Sequence, residues 1–481
     1  MKIKFENLGP LKEGELDFND IKNINIIIGA NNSGKTYLNY LIYTGFKVMK
    51  NFFLRKSFRK LNIGERSFTK ELIEKRNIKL TESDFNEIMN LLEKDFKDEF
   101  KRELSKTFHV SRNFFKNFKM EISLEEEIRI LKKTKTNIIG FDSSIGIIEI
   151  KKNMEEISLD IIDVDEKVNF RNFDEMEKII DRYGLNYSNF MFMIRHIDDE
   201  KCNGNLSRSI EISFEHMISK TFNKENNVFS LPAERSGAAL FYKQLLENRS
   251  NTLRWMEEDE ISLKREKIIS RYSEPVNDYI LFLNSISEES ITKTEMYSKI
   301  SDKMTDLIGG EIILKDRDVF FKDKIGHLLD MGVVSSTVKS LTGFFLYLKH
   351  KAKKGDIVII DEPELNLHPE NQRNLVRIFN ILSSYGIKFV LSTHSPIITQ
   401  EINNMILFEN KKKAGENLEN IMKEYNLNKE KYGLEKDNIN IWFINEEKLE
   451  KLNPDEIGFN TDTFNEVIGD MNNLYQDLFY N

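Results

Sequence analysis

An apolar run at residues 24–28 ends in Gly29-Ala30-Asn31-Asn32-Ser33-Gly34-Lys35-Thr36. A helical pattern follows at once, with Leu38, Leu41, Ile42 and Val48 on one face. This G-x-x-x-x-G-K-T spacing constrains the chain more than any other feature. A strand that stops in a glycine-rich turn and enters a helix is a β-loop-α unit, and such a unit buries its strand in a parallel sheet. Two further pieces of that sheet lie far downstream. Ile357-Val358-Ile359-Ile360 runs into Asp361-Glu362-Pro363, and Phe389-Val390-Leu391-Ser392 runs into Thr393-His394-Ser395. Four consecutive β-branched residues mark a strand covered on both faces. The expectation is an α/β fold with a mixed sheet, interrupted by a long insertion.

The residues at the strand ends suit the chemistry of a nucleoside triphosphate, which carries about four negative charges to be held and neutralised. Gly29 and Gly34 let the backbone from Ala30 through Ser33 wrap closely, so that its N–H groups and the helix N-terminus face phosphate. Lys35 can reach the β- and γ-phosphates as a point charge, and the Thr36 hydroxyl can ligate Mg²⁺. Adjacent carboxylates at a strand end alternate in direction. Asp361 is expected to hold Mg²⁺ through water, and Glu362 to act as general base on the attacking water. His394, one of seven histidines, ends the neighbouring strand and is assigned to the γ-phosphate. Hydrolysis of ATP with Mg²⁺ is the expected activity.

Composition narrows the surroundings. At 481 residues the chain should hold two or three structural units. Its net charge of −8 advertises no global field for nucleic acid, so contact with DNA would need a local patch. Cys202 is the single cysteine, which excludes internal disulfides and CxxC zinc sites. Residues 1–30 show no signal-peptide pattern and no apolar run approaches ~20 residues, so a cytoplasmic protein without a membrane segment is expected.

Along the chain, residues 1–50 read as the first part of the head, with short strands at 3–5, 15–18 and 24–28 and a turn at Gly9-Pro10. Residues 51–227 form a mixed, mostly helical insertion rich in Lys, Glu and Phe. Within it, Thr81-Glu82-Ser83-Asp84 starts a helix carrying Phe85, Met89, Leu92, Phe96, Phe100 and Leu104 at steps of three or four, a stripe expected to be packed. Strands are expected at 138–139 and 145–150. Residues 228–410 form the second part of the head. A helical stretch occupies 240–305, and within it a helix over roughly 264–286 is expected to be bent or broken near Pro275. A hairpin turns at Asp316-Arg317-Asp318, and a helix from about 337 precedes the acidic strand. Residues 411–481 form a C-terminal extension with three lysines, an alternating strand at 439–444 and a closing helix near 462–478.

The GANNSGKT loop, IIDEPELNLHPENQ and STHSP resemble the ABC-type ATPase superfamily that includes SMC, RecF and OLD-family proteins. Leu231-Pro232-Ala233-Glu234-Arg235-Ser236-Gly237, the hairpin opened by Gly309-Gly310-Glu311 and Ser335-Ser336-Thr337-Val338-Lys339-Ser340-Leu341 resemble its OLD-like (AAA_15/AAA_21) branch. The resemblance implies an ABC-type head that dimerises head to head, or forms a higher oligomer of such dimers. In it Ser335 and Ser336 meet the nucleotide of the other subunit, and the loop 365–369 lies at the seam. That branch usually has glycine where Thr337 stands. The family's glutamine switch has no counterpart, and Arg235 is the substitute candidate for nucleotide or subunit coupling, with a structural pairing to Glu234 or another acid as the alternative. No Toprim-type Glu and Asp-x-Asp pair follows Ser395. Asp163-Val164-Asp165 and Asp316-Arg317-Asp318 lie elsewhere. The chain therefore resembles the ATPase subunits of defence systems such as Septu and PARIS, which implies control of a separately encoded effector in antiviral defence. A RecF- or SMC-like DNA clamp is the alternative.

Overall fold

The computed structural model describes residues 1–55, 77–133, 136–142, 146–153, 156–162, 227–258, 272–286, 294–315, 318–425 and 432–459, with short pieces at 62–63, 66–67, 71, 74–75, 427, 473–474 and 476. Asp163-Val164-Asp165, Cys202, the turn residues 316–317 and most of the expected closing helix lie outside the described residues.

The strands in chain order are β1 (Lys2–Leu8), β2 (Leu11–Asp17), β3 (Ile24–Gly29), β4 (Asn62–Ile63), β5 (Arg66–Ser67) and β6 (Asn77–Leu80). Then come β7 (Lys119–Ser123), β8 (Thr136–Asp142), β9 (Gly146–Asn153), β10 (Glu156–Ile162), β11 (Val228–Leu231) and β12 (Gly310–Lys315). The last are β13 (Asp318–Asp323), β14 (Leu328–Asp330), β15 (Ile357–Asp361), β16 (Lys388–Thr393), β17 (Ile439–Asn445) and β18 (Lys448–Leu452). The helices are α1 (Lys35–Arg55), α2 (Glu82–Thr107), α3 (Glu125–Lys133), α4 (Arg235–Glu258), α5 (Glu274–Ser285) and α6 (Glu295–Ile308). They continue with α7 (Ser336–His350), α8 (Pro369–Ser384), α9 (Pro396–Lys413) and α10 (Glu419–Glu424).

Two compact units divide the chain: residues 1–3, 45–101 and 121–224 in one, and 4–44, 102–120 and 225–481 in the other. The second is organised by a nine-stranded sheet in the order β11-β15-β16-β3-β17-β18-β2-β1-β7. From β11 to β17 all neighbours are parallel. The carboxyl ends of β3, β15 and β16 therefore open at one edge, where ligands of such sheets bind. All six residues of β3 are buried. Each isoleucine there contributes roughly 1.5–3 kcal/mol of burial. Phe344 of α7, Phe379 of α8 and Phe389 of β16 pack ring against ring, with Phe379 and Phe389 centroids 4.8 Å apart. That contact lays the two helices over the sheet. The mixed α/β fold expected from the strand pattern is the one found.

The segment 439–452, placed by the sequence in an extension, supplies β17 and β18 of the main sheet, with β17 directly beside β3. Its buried Asn440 faces Asn25 in register and donates to the Asn25 Oδ1 at 3.2 Å. Asn25 in turn donates to the carbonyls of Lys22 and Phe389, so both buried amides are satisfied. Pro275 sits in the first turn of α5, after Ser273 as N-cap, where a missing N–H is harmless, so a helix starts at the position where a break was expected.

The first unit carries a four-stranded antiparallel sheet, β6-β10-β9-β8. At the start of α2 the Thr81 and Asp84 side chains each accept the other's backbone N–H, a capping box. Met89, Phe96 and Phe100 on its stripe are buried. Among the described residues, no helix is long and apolar enough to cross a membrane.

Candidate nucleotide site

The glycine-rich turn joins β3 to α1. Gly34 has φ +106°, and a Cβ there would meet the Leu11 side chain at 2.9 Å, so only glycine fits. α1 begins at the next residue, which leaves its first N–H groups and its positive end facing the turn. Lys35 is 7% exposed, and its ammonium donates to the carbonyls of Gly29 (2.9 Å) and Ala30 (2.8 Å). Burial holds its pKa below the ordinary lysine value, opposed by the carboxylates of Glu362, Asp361 and Glu364. The six loop residues Gly29 to Gly34, with Lys35 and Thr36, thus form one cradle.

Asp361 is the node of the site. Thr36, 325 residues away in sequence, donates its hydroxyl to Asp361 Oδ2 at 2.8 Å. The other carboxylate oxygen accepts from Asn39 at 3.2 Å and from the Ser392 hydroxyl, while Asn39 also reaches Ser392 at 2.8 Å. Ser392 is the register partner of Asp361 on β16, and Asn39 lies one turn beyond Thr36 on α1. Hard oxygen donors converging from Thr36 and Asp361 beside a phosphate cradle match the ligand preference of Mg²⁺. Thr36 and Asp361 would hold it. Asn39 and Ser392 escaped the sequence reading, because single polar residues on apolar elements signal nothing until the register is known.

Glu362 follows with φ +50°, a left-handed backbone that costs a side-chain-bearing residue about 1–2 kcal/mol. His394 Nδ1 lies 3.9 Å from Glu362 Oε1 and 3.4 Å from Glu364 Oε1. Glu364 is buried and accepts from the Thr393 hydroxyl (2.8 Å) and the His394 N–H (2.9 Å), so it orients the histidine segment. Sequence reasoning also missed Glu364. The third acid of the Asp-Glu-Pro-Glu run was its only sign.

Arg235 is 1% exposed. Its guanidinium donates to the carbonyls of Asp361 (2.6 Å), Glu362 (2.6 Å) and Pro232 (3.2 Å). Neither the expected Glu234 nor a nucleotide-facing position engages it in these contacts. Burial lowers its pKa below the usual arginine value, opposed by Tyr279 and the three carboxylates. At the start of α7, the Ser335 hydroxyl caps the helix by accepting from Val338 N–H, and Ser336 is exposed. Thr337 donates to the Asn366 carbonyl (2.7 Å) and Ser340 to the Leu365 carbonyl (3.1 Å). The Ser335-Ser336-Thr337 segment is thereby tied to the loop after Glu362. Gln372 links that loop to β16's end, donating to the Leu367 carbonyl and accepting from the Ser395 hydroxyl. Lys411, Lys412 and Lys413 each pair with a glutamate, so this run is charge-compensated.

Residues 24–399, well over half of the chain, match the family described as "AAA domain, putative AbiEii toxin, Type IV TA system". The chain belongs to this family, and the match spans both the glycine-rich loop and the acidic strand. Over 224 residues it is 26% identical to the "Retron Vc95 probable ATPase" of Vibrio cholerae serotype O1 biovar El Tor. That stretch is 46% of this chain and 37% of the relative, so the chain spans little more than a third of the relative's length. Among solved structures, an SMC head bound to the C-winged helix domain of ScpA aligns over 94% of this chain and 97% of that one, at 11% identity and a TM-score of 0.31. The SMC head domain from Thermotoga maritima aligns over 94% and 98%, at 10% identity and a TM-score of 0.27. These scores are low, and the fold assignment rests on the sheet order and the cradle.

Proposed function

We propose that this chain is a Mg²⁺-dependent ATPase that works as a head-to-head homodimer and controls a separately encoded effector, a nuclease or toxin, in antiviral defence. The observation that carries the enzymatic part is the Thr36–Asp361 contact, which joins the phosphate cradle to the acidic strand. The backbone N–H groups of residues 29–34 and the start of α1 bind the phosphates, and Lys35 neutralises the β- and γ-phosphates. Bound Mg²⁺ supplies charge neutralisation across the phosphate oxygens. Glu362 takes the proton of the attacking water, and His394, set by Glu364, faces the γ-phosphate.

Ser335 and Ser336 complete the partner subunit's site in this reading, forming an isologous two-fold interface. The family description, which names a toxin and a toxin–antitoxin system, supports control of an effector. So do the likeness to a retron ATPase and the resemblance to the OLD-like ATPases of PARIS and Septu. Two states of the dimer, one burying the effector surface and the other not, would let nucleotide contacts shift a population.

The test is Glu362→Gln. Its amide cannot accept the water's proton, so turnover should fall on the order of 10²–10⁴-fold while ATP binding persists. With saturating ATP this variant should be dimeric in light scattering, and it should retain or release the product of an adjacent gene differently from the parent. Parent-like turnover removes Glu362 from the chemistry, a strictly monomeric variant removes the dimer, and identical co-purification removes nucleotide control of the effector.

A further inference from the structure

Two successive carbonyls of an extended strand point to opposite edges, so one side chain cannot ordinarily take both. Here Nη1 and Nη2 of Arg235 take the carbonyls of Asp361 and Glu362, each at 2.6 Å. The chain must turn over at Glu362 for this to happen, and Glu362 is where φ becomes +50°. From the other side, the Glu362 N–H remains bound to the Ser392 carbonyl at 3.0 Å. Pro363 favours extended backbone with negative φ at the residue before it, so it does not supply this reversal. We infer that Arg235 is a positioning residue for hydrolysis: its fork on the two carbonyls sets the reversed backbone of Glu362 and so aims that carboxylate at the attacking water. This rests on the reading of Glu362 as general base.

Three observations make it more than a buried ion looking for partners. A planar guanidinium presents two parallel donors in a fixed geometry, which a lysine ammonium cannot reproduce. Ser236, the next residue, accepts from the Asn366 side chain at 3.2 Å, so the start of α4 grips the loop after β15 at both of its ends. The Glu362 carbonyl also accepts from Leu365 N–H at 3.1 Å, which closes the turn that Arg235 opens. The arginine touches the backbone that carries the base. Its effect on rate should therefore pass mainly through Glu362, whose backbone reversal depends on both carbonyls it holds.

The experiment is a double-mutant cycle with Arg235→Lys and Glu362→Gln, reading single-turnover rate, affinity for a fluorescent ATP analogue and Tm. Displacing a reacting group by about 1 Å costs on the order of 10²-fold, the loss expected for Arg235→Lys. The analogue's Kd should stay within about threefold. In the Glu362→Gln background the arginine change should add no further loss. Equal losses in both backgrounds overturn the proposal. So does a weakened Kd that accounts for the whole effect, which would put Arg235 on the nucleotide. If Glu362→Gln alone turns over like the parent, the base assignment falls and the proposal with it. If Glu362→Gln is inactive and Arg235→Lys is not impaired, only the proposal falls. Should Arg235→Lys fold but be too unstable for kinetics, Glu362→Gly serves as the second background, because glycine takes the reversed backbone freely. Arg235→Lys should then lower Tm less than it does beside Glu362, and an equal drop overturns the proposal.

Discussion

The cluster around Asp361 and the start of α7 are built on opposite plans. Around Asp361 the side chains of Thr36, Asn39 and Ser392 bind one carboxylate and, in part, each other, from one helix and the neighbouring strand. At the start of α7, Thr337 and Ser340 donate to backbone carbonyls, while Ser336 is exposed at the N-terminus of a fifteen-residue helix. Val333, two residues before Ser335, is 75% exposed, and Ile325 in the turn between β13 and β14 is 83% exposed. The first region is closed on itself and leaves only the cradle for a ligand. The second leaves helix N–H groups and apolar surface unspent. In the proposed dimer the two regions meet across subunits, and lesions in them should then fail differently.

The largest effect is expected at the closed region. Lys35→Ala removes the ammonium from the cradle, and turnover should fall on the order of 10³-fold or more. Affinity for a fluorescent ATP analogue should fall with it. Retention of full affinity would show that the N–H groups of the loop suffice, and the cradle would need reassigning.

A smaller loss should follow Ser336→Glu at the open region. A carboxylate in the first turn favours the helix itself, so folding should be undisturbed. The same charge repels a partner's γ-phosphate, and turnover should fall on the order of 10²-fold while each chain still binds the analogue. Mixing this variant with Lys35→Ala sharpens the comparison. Each heterodimer then pairs one intact cradle with one intact Ser336, so turnover should reappear. Two inactive variants that stay inactive when mixed would place both regions in the same site of the same chain.

How much of this was legible follows from the range of the interactions. The loop, the acidic strand and the segment around His394 are each a short continuous stretch of sequence, and each carries its own chemical logic. Asn39, Ser392 and Glu364 acquire meaning only when α1, β15 and β16 are laid side by side, and a register between strands so far apart leaves no local trace. The placement of β17 beside β3 was hidden for the same reason, since its alternating pattern fits an edge hairpin as well as a central strand. Arg235 was expected to couple nucleotide or subunits, or alternatively to pair with an acid, and its contacts are with neither. Backbone carbonyls are invisible in a sequence, and only the reversal at Glu362 brings two of them to one guanidinium.

The smallest effect concerns Thr337, which stands where the OLD-like branch usually has glycine. A Cβ at a residue that must approach phosphate is an obstacle, yet here the side chain has its own task, donating to the Asn366 carbonyl at 2.7 Å. Asn366 is itself left-handed, with φ +62°, so the tether holds a second unusual backbone in the loop that follows the base. Thr337→Val keeps the β-branched shape and removes only that donor. The loss should be about 1 kcal/mol of stability, a Tm lower by a few degrees, and turnover within about threefold of the parent. A loss as deep as that of Ser336→Glu would put Thr337 on the partner's nucleotide instead. The open region would then reach one residue further along α7, and its tether to Asn366 would be a feature that nucleotide must displace.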